Sequence, residues 1–268
     1  MAHPFLQVGR RLVFAHRGGS DLAPENTLAA FDNGLAQGAD GLELDVRLSA
    51  DGVPVVLHDL RLDRTSNLTG PVSAFTAREL AGADAGFHFQ TNGRQPFRGQ
   101  GVGIPTLESV LTRYPGVPLI IELKEESEPL VESVIAGVRA AGASDRVCLG
   151  SFSWRALRRV RSLAPDLATS AARAEVRWAL YRSRCRFPVH RVPYRAYQVP
   201  EVSRGSRVVS ARFVADAHGA GLPVQVWTVD RTSDAQRLIE WGVDGLITDR
   251  PDVVVPLVRG SLSASSSP

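Results

Sequence analysis

Short apolar runs alternate with helical patterns along almost the whole 268-residue chain, and few folds accommodate that alternation. Strands separated by a helix pair in parallel through a crossover, which puts helices over the sheet. Apolar runs at 12–15, 41–46, 117–123, 146–151, 167–171, 196–199, 222–228 and 245–248 predict eight such strands. Helices are expected at 27–37, 106–114, 129–141, 154–163, 173–184, 206–220 and 233–241. Gly38, Gly142, Gly221 and Gly242 stand where helix ends need tolerance of positive φ. Eight parallel strands close a TIM-type (β/α)8 barrel, so the fold class is α/β. Residues 1–259 read as one barrel domain and the serine-bearing 260–268 as a disordered tail.

One run does not fit a crossover. Residues 53–59 are strand-like, yet only 49–52 separate them from the second strand, so a hairpin through Asp51-Gly52 is the physical solution. That hairpin sets His58 roughly across from Asp45. The stretch of about 47–104 then reads as an insertion between strands 2 and 3, lying over the barrel mouth. Gly38-Ala-Asp-Gly-Leu-Glu-Leu-Asp45 is echoed by Gly242-Val-Asp-Gly-Leu-Ile-Thr-Asp249, which reads as one turn chemistry used twice.

Charge narrows the partners. Lys+Arg 31 against Asp+Glu 28 leaves +3, too small an excess to argue for nucleic acid. The excess is concentrated between Arg155 and Arg207, where only Asp166, Glu175 and Glu201 oppose the arginines, Arg186 among them. Within it, 173–195 is basic and aromatic, centred on Trp178, Tyr181 and Phe187. It reads either as a solvated arginine face or as a peripheral contact with anionic membrane. Two cysteines, Cys148 and Cys185, exclude a disulfide framework. With no leader-like apolar run in residues 1–11 and no membrane-length one anywhere, a cytoplasmic protein is expected.

Polar groups gather at the carboxyl ends of the predicted strands, the face on which barrel enzymes build their sites. Glu43 and Asp45, two apart in a strand, point the same way, and Glu122 ends the neighbouring strand. Such a carboxylate trio suits one divalent cation, Mg²⁺ or Ca²⁺, with positions left for water and a phosphate oxygen. His16 and His58 are the candidate acid and base, since imidazole exchanges protons near neutral pH. Arg17 and Lys124 could contact phosphate or simply neutralise the carboxylates. Trp227 is either an apolar wall for substrate or core. Asn26 reads as a helix cap and Glu25 as cap or site residue, while His3, His88, His190 and His218 read as structural or surface.

Together His16-Arg17-Gly18, Pro24-Glu25-Asn26-Thr27, Glu43-Leu44-Asp45-Val46, the hairpin from Asp51-Gly52 to His58-Asp59, Thr65, Pro105-Thr106-Leu107 and Ile121-Glu122-Leu123-Lys124 resemble the glycerophosphodiester phosphodiesterase family. Ser151-Phe152, Val226-Trp227-Thr228-Val229 and Gly245-Leu-Ile-Thr-Asp249 extend the likeness, which thins between Ser170 and Ser210. The resemblance implies hydrolysis of a glycerophosphodiester to an alcohol and glycerol 3-phosphate. It further implies a divalent ion on Glu43, Asp45 and Glu122, two histidines as acid and base, and a cyclic phosphate formed by a neighbouring glycerol hydroxyl. Alternatives are lysophospholipase D-type activity on membrane lysophospholipids, release of the cyclic phosphate as product, and a non-catalytic phospholipid-binding module.

Overall fold

The computed structural model describes residues 3, 5–185, 187 and 191–265. Arg186, His190 and the tail residues 266–268 therefore lie outside the described residues. The first half carries β1 (Leu12–His16), α1 (Leu28–Ala36), β2 (Gly41–Leu48), β3 (Pro54–Val56), α2 (Ala77–Ala81), α3 (Leu107–Arg113), β4 (Leu119–Leu123) and α4 (Glu128–Ala140). There follow β5 (Val147–Gly150), α5 (Trp154–Leu163), β6 (Ala168–Thr169), α6 (Arg173–Arg184), β7 (Tyr197–Pro200), β8 (Val202–Ser203) and β9 (Ser206–Arg207). The chain ends through α7 (Ala211–Gly219), β10 (Val224–Trp227), α8 (Thr232–Glu240), β11 (Gly245–Thr248) and α9 (Pro251–Ser265).

Eight strands pair in parallel in the order β6-β5-β4-β2-β1-β11-β10-β7. A parallel bridge between Ser170 and Ala196 joins the two ends, reinforced where Arg195 N donates to Thr169 O and Ala171 N to Ala196 O. The sheet thus closes as a (β/α)8 barrel. Alternation along each strand divides its side chains. Val13, Leu42, Leu44, Ile121 and Leu149 belong to the layers packed under the helices. Leu12, Phe14, Ile120, Cys148, Ala168 and Ile247 fill the barrel interior. The same inward rows continue upward to His16, to Glu43 and Asp45, and to Glu122. Burial on both faces is why the strands read as unbroken apolar runs.

Gly41 makes room for that interior. A Cβ there would lie 2.6 Å from Phe14 Cε1 and 2.6 Å from the backbone oxygen of Pro118. Since a carbonyl in a strand-to-strand ladder cannot swing aside, Gly41→Ala should destabilise the fold by about 1–3 kcal/mol, read as a lower urea midpoint with unchanged slope. An unchanged midpoint would mean that the barrel floor is looser than these distances indicate.

The repeated turn is confirmed at atomic level. Asp40 Oδ2 accepts from Val13 N, and Asp244 Oδ2 accepts from Val224 N, both at 2.8 Å. Each aspartate ties the foot of one strand to its neighbour, after a glycine of positive φ, Gly38 or Gly242. Asp244 also accepts from His218 Nε2 at 2.7 Å, a structural role as expected for that histidine. Of the other histidines read as structural or surface, His3 is buried and His88 is exposed against the Phe87 ring.

β3 pairs antiparallel with β2, as the short connection requires, but its register is one residue from the expectation. Val46 faces Val56 and Leu57 N donates to Asp45 O, so Leu57 is opposite Asp45 and His58 follows it. The segment from the hairpin to α3 packs around its own small apolar cluster, including Leu57, Leu62, Leu80 and Ile104. One expected boundary is corrected and one helix is added. The helix expected at 206–220 begins only at Ala211, because Arg204 and Gly205, both at positive φ, turn the chain between β8 and β9. Ser210 caps it, accepting from Phe213 N. The last helix, α9, was not expected; Pro251 opens it and it enters the serine-bearing tail as far as Ser265.

Candidate active site

Strand register brings the site together. His16 on β1 is the parallel partner of Glu43 on β2, and Asp45 is the partner of Glu122 on β4. These four residues are neighbours at the carboxyl end of three adjacent strands, although up to 106 positions apart, the difference between 122 and 16. One oxygen each from Glu43, Asp45 and Glu122 lie within 4.8 Å of one another. Glu43 is 5% exposed and Asp45 0%.

The turn after β1 is built to approach them. Arg17, Gly18 and Gly19 all have positive φ, and a Cβ on Gly18 would meet the Ala30 carbonyl carbon at 2.6 Å. This tight turn aims Arg17 N at Glu43 Oε2, to which it donates at 3.1 Å. The Arg17 guanidinium donates to Glu25 Oε1 at 2.9 Å, while its Nε lies 3.1 Å from Asp45 Oδ2 without hydrogen-bond alignment. Lys124 Nζ sits 2.9 Å from both Asp45 Oδ1 and Glu122 Oε2. Arg17 and Lys124 therefore contact the carboxylates.

Each imidazole is held at one nitrogen by an aspartate. His16 Nδ1 is 2.7 Å from Asp249 Oδ1, and His58 Nδ1 is 2.7 Å from Asp59 Oδ1. A carboxylate can only accept, so both Nδ1 atoms are donors and Nε2 is the nitrogen left free. His16 Nε2 stands 3.8 Å from Glu43 Oε2. A positive charge at His58 would favour the ionised forms of Asp45 and Glu122. Asp59 in turn accepts from Arg64 Nε at 2.6 Å, and Arg64 grips Glu25 through both Nη atoms at 2.7 and 2.8 Å. The ionic chain His58-Asp59-Arg64-Glu25-Arg17 thus links the hairpin to the first turn.

Reading residues singly missed three members of this site, Asp249, Asn26 and Arg64, and left Glu25 open between cap and site residue. Asp249, the last residue of the echoed segment, was assigned only a turn. Asn26 does not cap α1; Thr27 does, accepting from Ala30 N. Asn26 instead adopts positive φ and clamps Asp45, donating to Oδ2 at 2.8 Å and accepting from the Asp45 backbone at 3.2 Å. Glu25 and Arg64 serve the ionic chain, and the position of Asp249 in the echo, where Asp45 stands in its partner, was the signal available.

Electrostatics leave the site short of positive charge. Among the described residues, Glu25, Glu43, Asp45, Asp59, Glu122 and Asp249 are paired with Arg17, Arg64 and Lys124 and with the His16 and His58 imidazoles, so even with both rings protonated six carboxylates meet five cations. Burial, followed by repulsion from Asp45, pushes the Glu43 carboxyl up to about 7. Burial alone would depress His16, but Glu43 and the Asp249 hydrogen bond outweigh it and raise the imidazole to about 9. Glu122 Oε1 is buried with no hydrogen-bond partner among the described residues. An orphaned buried carboxylate oxygen beside a crowded acidic trio fits a divalent cation, whose oxygen ligands sit about 2.0–2.6 Å away.

Trp227 ends β10, half-buried, with Phe152 packed edge-on at a 5.8 Å centroid separation. Lys124 Nζ lies 5.9 Å from the Phe152 ring centre, so this aromatic pair borders the acidic cluster.

Comparison with known proteins places nearly the whole chain among phosphodiesterases of similar sequence and fold. The glycerophosphodiester phosphodiesterase of Caldanaerobacter subterraneus subsp. tengcongensis is 34% identical over 258 residues, covering 93% of this chain and 98% of that one. A phosphodiesterase of Oleispira antarctica, solved in complex with the product sn-glycerol-3-phosphate, has a TM-score of 0.74 at 27% identity, covering 95% of this chain and 98% of that one. The glycerophosphodiester phosphodiesterase of Agrobacterium tumefaciens gives a TM-score of 0.73 at 30% identity over 92% of this chain and 99% of that one. The model of the glycerophosphoryl diester phosphodiesterase family matches residues 16–253, and it is to that family that this chain belongs.

Proposed function

We propose that this protein hydrolyses glycerophosphodiesters to an alcohol and glycerol 3-phosphate, using one divalent cation, Mg²⁺ or Ca²⁺, held by Glu43, Asp45 and Glu122. The observation that carries the reading is the register that makes His16, Glu43, Asp45 and Glu122 neighbours at one barrel end. A cation bound there supplies positive charge against the phosphoryl oxygens as they gain charge.

The protein's own groups do the rest. Asn26 and Arg17 fix the Asp45 carboxylate, so the trio is held before substrate arrives. Asp249 and Asp59 hold the His16 and His58 rings with Nε2 free, one to take the proton of the attacking glycerol hydroxyl and the other to protonate the departing alkoxide. Attack by a hydroxyl of the same glycerol makes the first step intramolecular, and water then opens the cyclic phosphate. Lys124 and Arg17, already within the site, contribute charge toward the phosphate, and Trp227 with Phe152 forms an apolar wall for the alcohol side.

Residues 1–259 work as one unit in this scheme, with the insertion of about 47–104 supplying His58. The free state of Cys148 and Cys185 supports a cytoplasmic setting. A coupled assay for glycerol 3-phosphate, with glycerophosphocholine and glycerophosphoethanolamine and added Mg²⁺ or Ca²⁺, tests the reading. Release of free glycerol phosphate is expected; accumulation of the cyclic phosphate alone, or no turnover with any ion, would overturn it.

A further inference from the structure

We propose that the outer face of α6, together with the start of α5, is a docking surface for anionic lipid bilayers, so that the enzyme works on glycerophosphodiesters at a membrane surface. The inference rests on the proposed activity for its consequence, but the docking itself does not.

Helical spacing puts Arg173, Arg177, Trp178, Tyr181 and Arg184 on one exposed face of α6. Trp178 is 59% and Tyr181 57% exposed, with their rings stacked at 5.6 Å. Two large aromatics stacked on each other in water, rather than against the barrel, are an unusual use of apolar area for a surface helix. Among the described residues Arg173, Arg177 and Arg184 form no ion pair. The acids nearby in sequence are engaged elsewhere: Glu175 is turned inward onto Arg161, Asp166 pairs with Arg139 and Glu201 with Arg237. The face is therefore aromatic and positive, with no acid of its own.

That face leads to the active site. Trp154, 43% exposed, opens α5, and it lines a cleft of about 380 Å³ together with Trp178 and Arg182 of α6. Phe152, two residues before Trp154, is 54% exposed and packs on Trp227 beside the acidic cluster. An aromatic band thus runs from Tyr181 and Trp178 through Trp154 and Phe152 to the mouth.

Amphipathic rings flanked by guanidinium groups match the headgroup region of a bilayer, where indole and phenol rings settle and arginines meet anionic lipid phosphate. An acidic peptide would account for the arginines but not for the rings. A single-stranded nucleic acid could stack on the rings, but nothing in its recognition calls for a row of them that ends at the mouth of a site for glycerophosphodiesters. Among the described residues no helix is long and apolar enough to cross a membrane, so the contact is peripheral.

Co-sedimentation of the full chain with vesicles of phosphatidylcholine, alone or with about one-third phosphatidylglycerol, tests the surface. The wild type should sediment with the anionic vesicles and stay largely in solution with neutral ones. Arg173→Glu/Arg177→Glu and Trp178→Ala/Tyr181→Ala should each weaken binding by at least about tenfold. Both should keep wild-type turnover of glycerophosphocholine while losing turnover of a lysophospholipid carried in anionic vesicles. No sedimentation, equal binding to neutral vesicles, or unimpaired binding by both variants would overturn the proposal. So would retention on RNA without sedimentation, which would assign the arginines to a nucleic acid. Vesicle binding without turnover of any diester would leave docking standing and remove the proposed reaction instead.

Discussion

Chelating divalent ions should bring glycerol 3-phosphate release to background, and Glu43→Ala should lower kcat/KM by more than the about 10–100-fold typical when only an outer partner of a metal ligand is lost. The expectation follows from the charge balance at the mouth. Glu43, Asp45 and Glu122 are forced together by strand register, and Lys124 alone cannot neutralise them. Burial and Asp45 already hold the Glu43 carboxyl at about 7, far above the ordinary 4.5. A group whose folded pKa is raised adds stability below its ordinary pKa and loses it as pH rises through the folded value. The metal-free protein should therefore lose this contribution between about pH 4.5 and about pH 7, and an ion that replaces the proton should restore it. Thermal denaturation at about pH 6 and about pH 8 should show a larger rise in Tm on adding Mg²⁺ or Ca²⁺ at the higher pH. Ion affinity, measured by calorimetry, should fall by up to about tenfold per pH unit below neutrality, one proton being displaced. Full turnover under chelation, or an ion affinity indifferent to pH, would remove the cation from the trio.

Much of this arrangement is visible in the sequence because two periodicities coincide. Glu43 and Asp45 share a face by strand alternation, and Leu42, Leu44 and Val46 mark the opposite face by being apolar and fully buried. His16 and Glu122 end apolar runs, which on a parallel barrel identifies the catalytic end without knowledge of the register. The hairpin was visible because the connection at 49–52 is too short for a crossover. Its one-residue offset was not, since it depends on Ser49, whose hydroxyl and backbone both close onto Val53.

What sequence reading could not reach are pairings between distant segments. Asp249 lies 233 positions from His16, and only the β1–β11 ladder makes them neighbours. Asn26 has the composition of a helix cap and sits one residue before the true cap, so local logic assigns it the commoner task. Arg64 looks like any exposed arginine until the insertion folds back and sets it between Asp59 and Glu25. The turn at Arg204-Gly205 escaped for the opposite reason: β8 and β9 have two residues each, too few to show a strand period.

The two histidines should be equally indispensable but for different reasons. His16→Ala and His58→Ala each lower kcat by at least about 100-fold at saturating ion, the lower range for an acid or base that moves a proton in the transition state. Asp249→Asn and Asp59→Asn, which leave both rings in place, should cost less and should shift the pH profile as well as lower the rate. Asp249 is the more informative of the two. Its bond to Nδ1 and the Glu43 carboxylate together hold His16 near 9, where burial alone would have pushed it below the ordinary value. Neutralising Glu43 removes one of these supports and brings the imidazole back toward the range in which it exchanges protons at neutral pH. Weakening the Asp249 bond then lowers the His16 pKa further, so the limb of the kcat profile that reports this ring should move to lower pH in Asp249→Asn. In Asp59→Asn that limb should stay in place, because Asp59 holds the other ring and is itself kept ionised by Arg64, its carboxyl at about 2. If both variants move the same limb, or if neither alanine variant falls below about one-tenth of the wild-type rate, proton transfer is not divided between these two imidazoles.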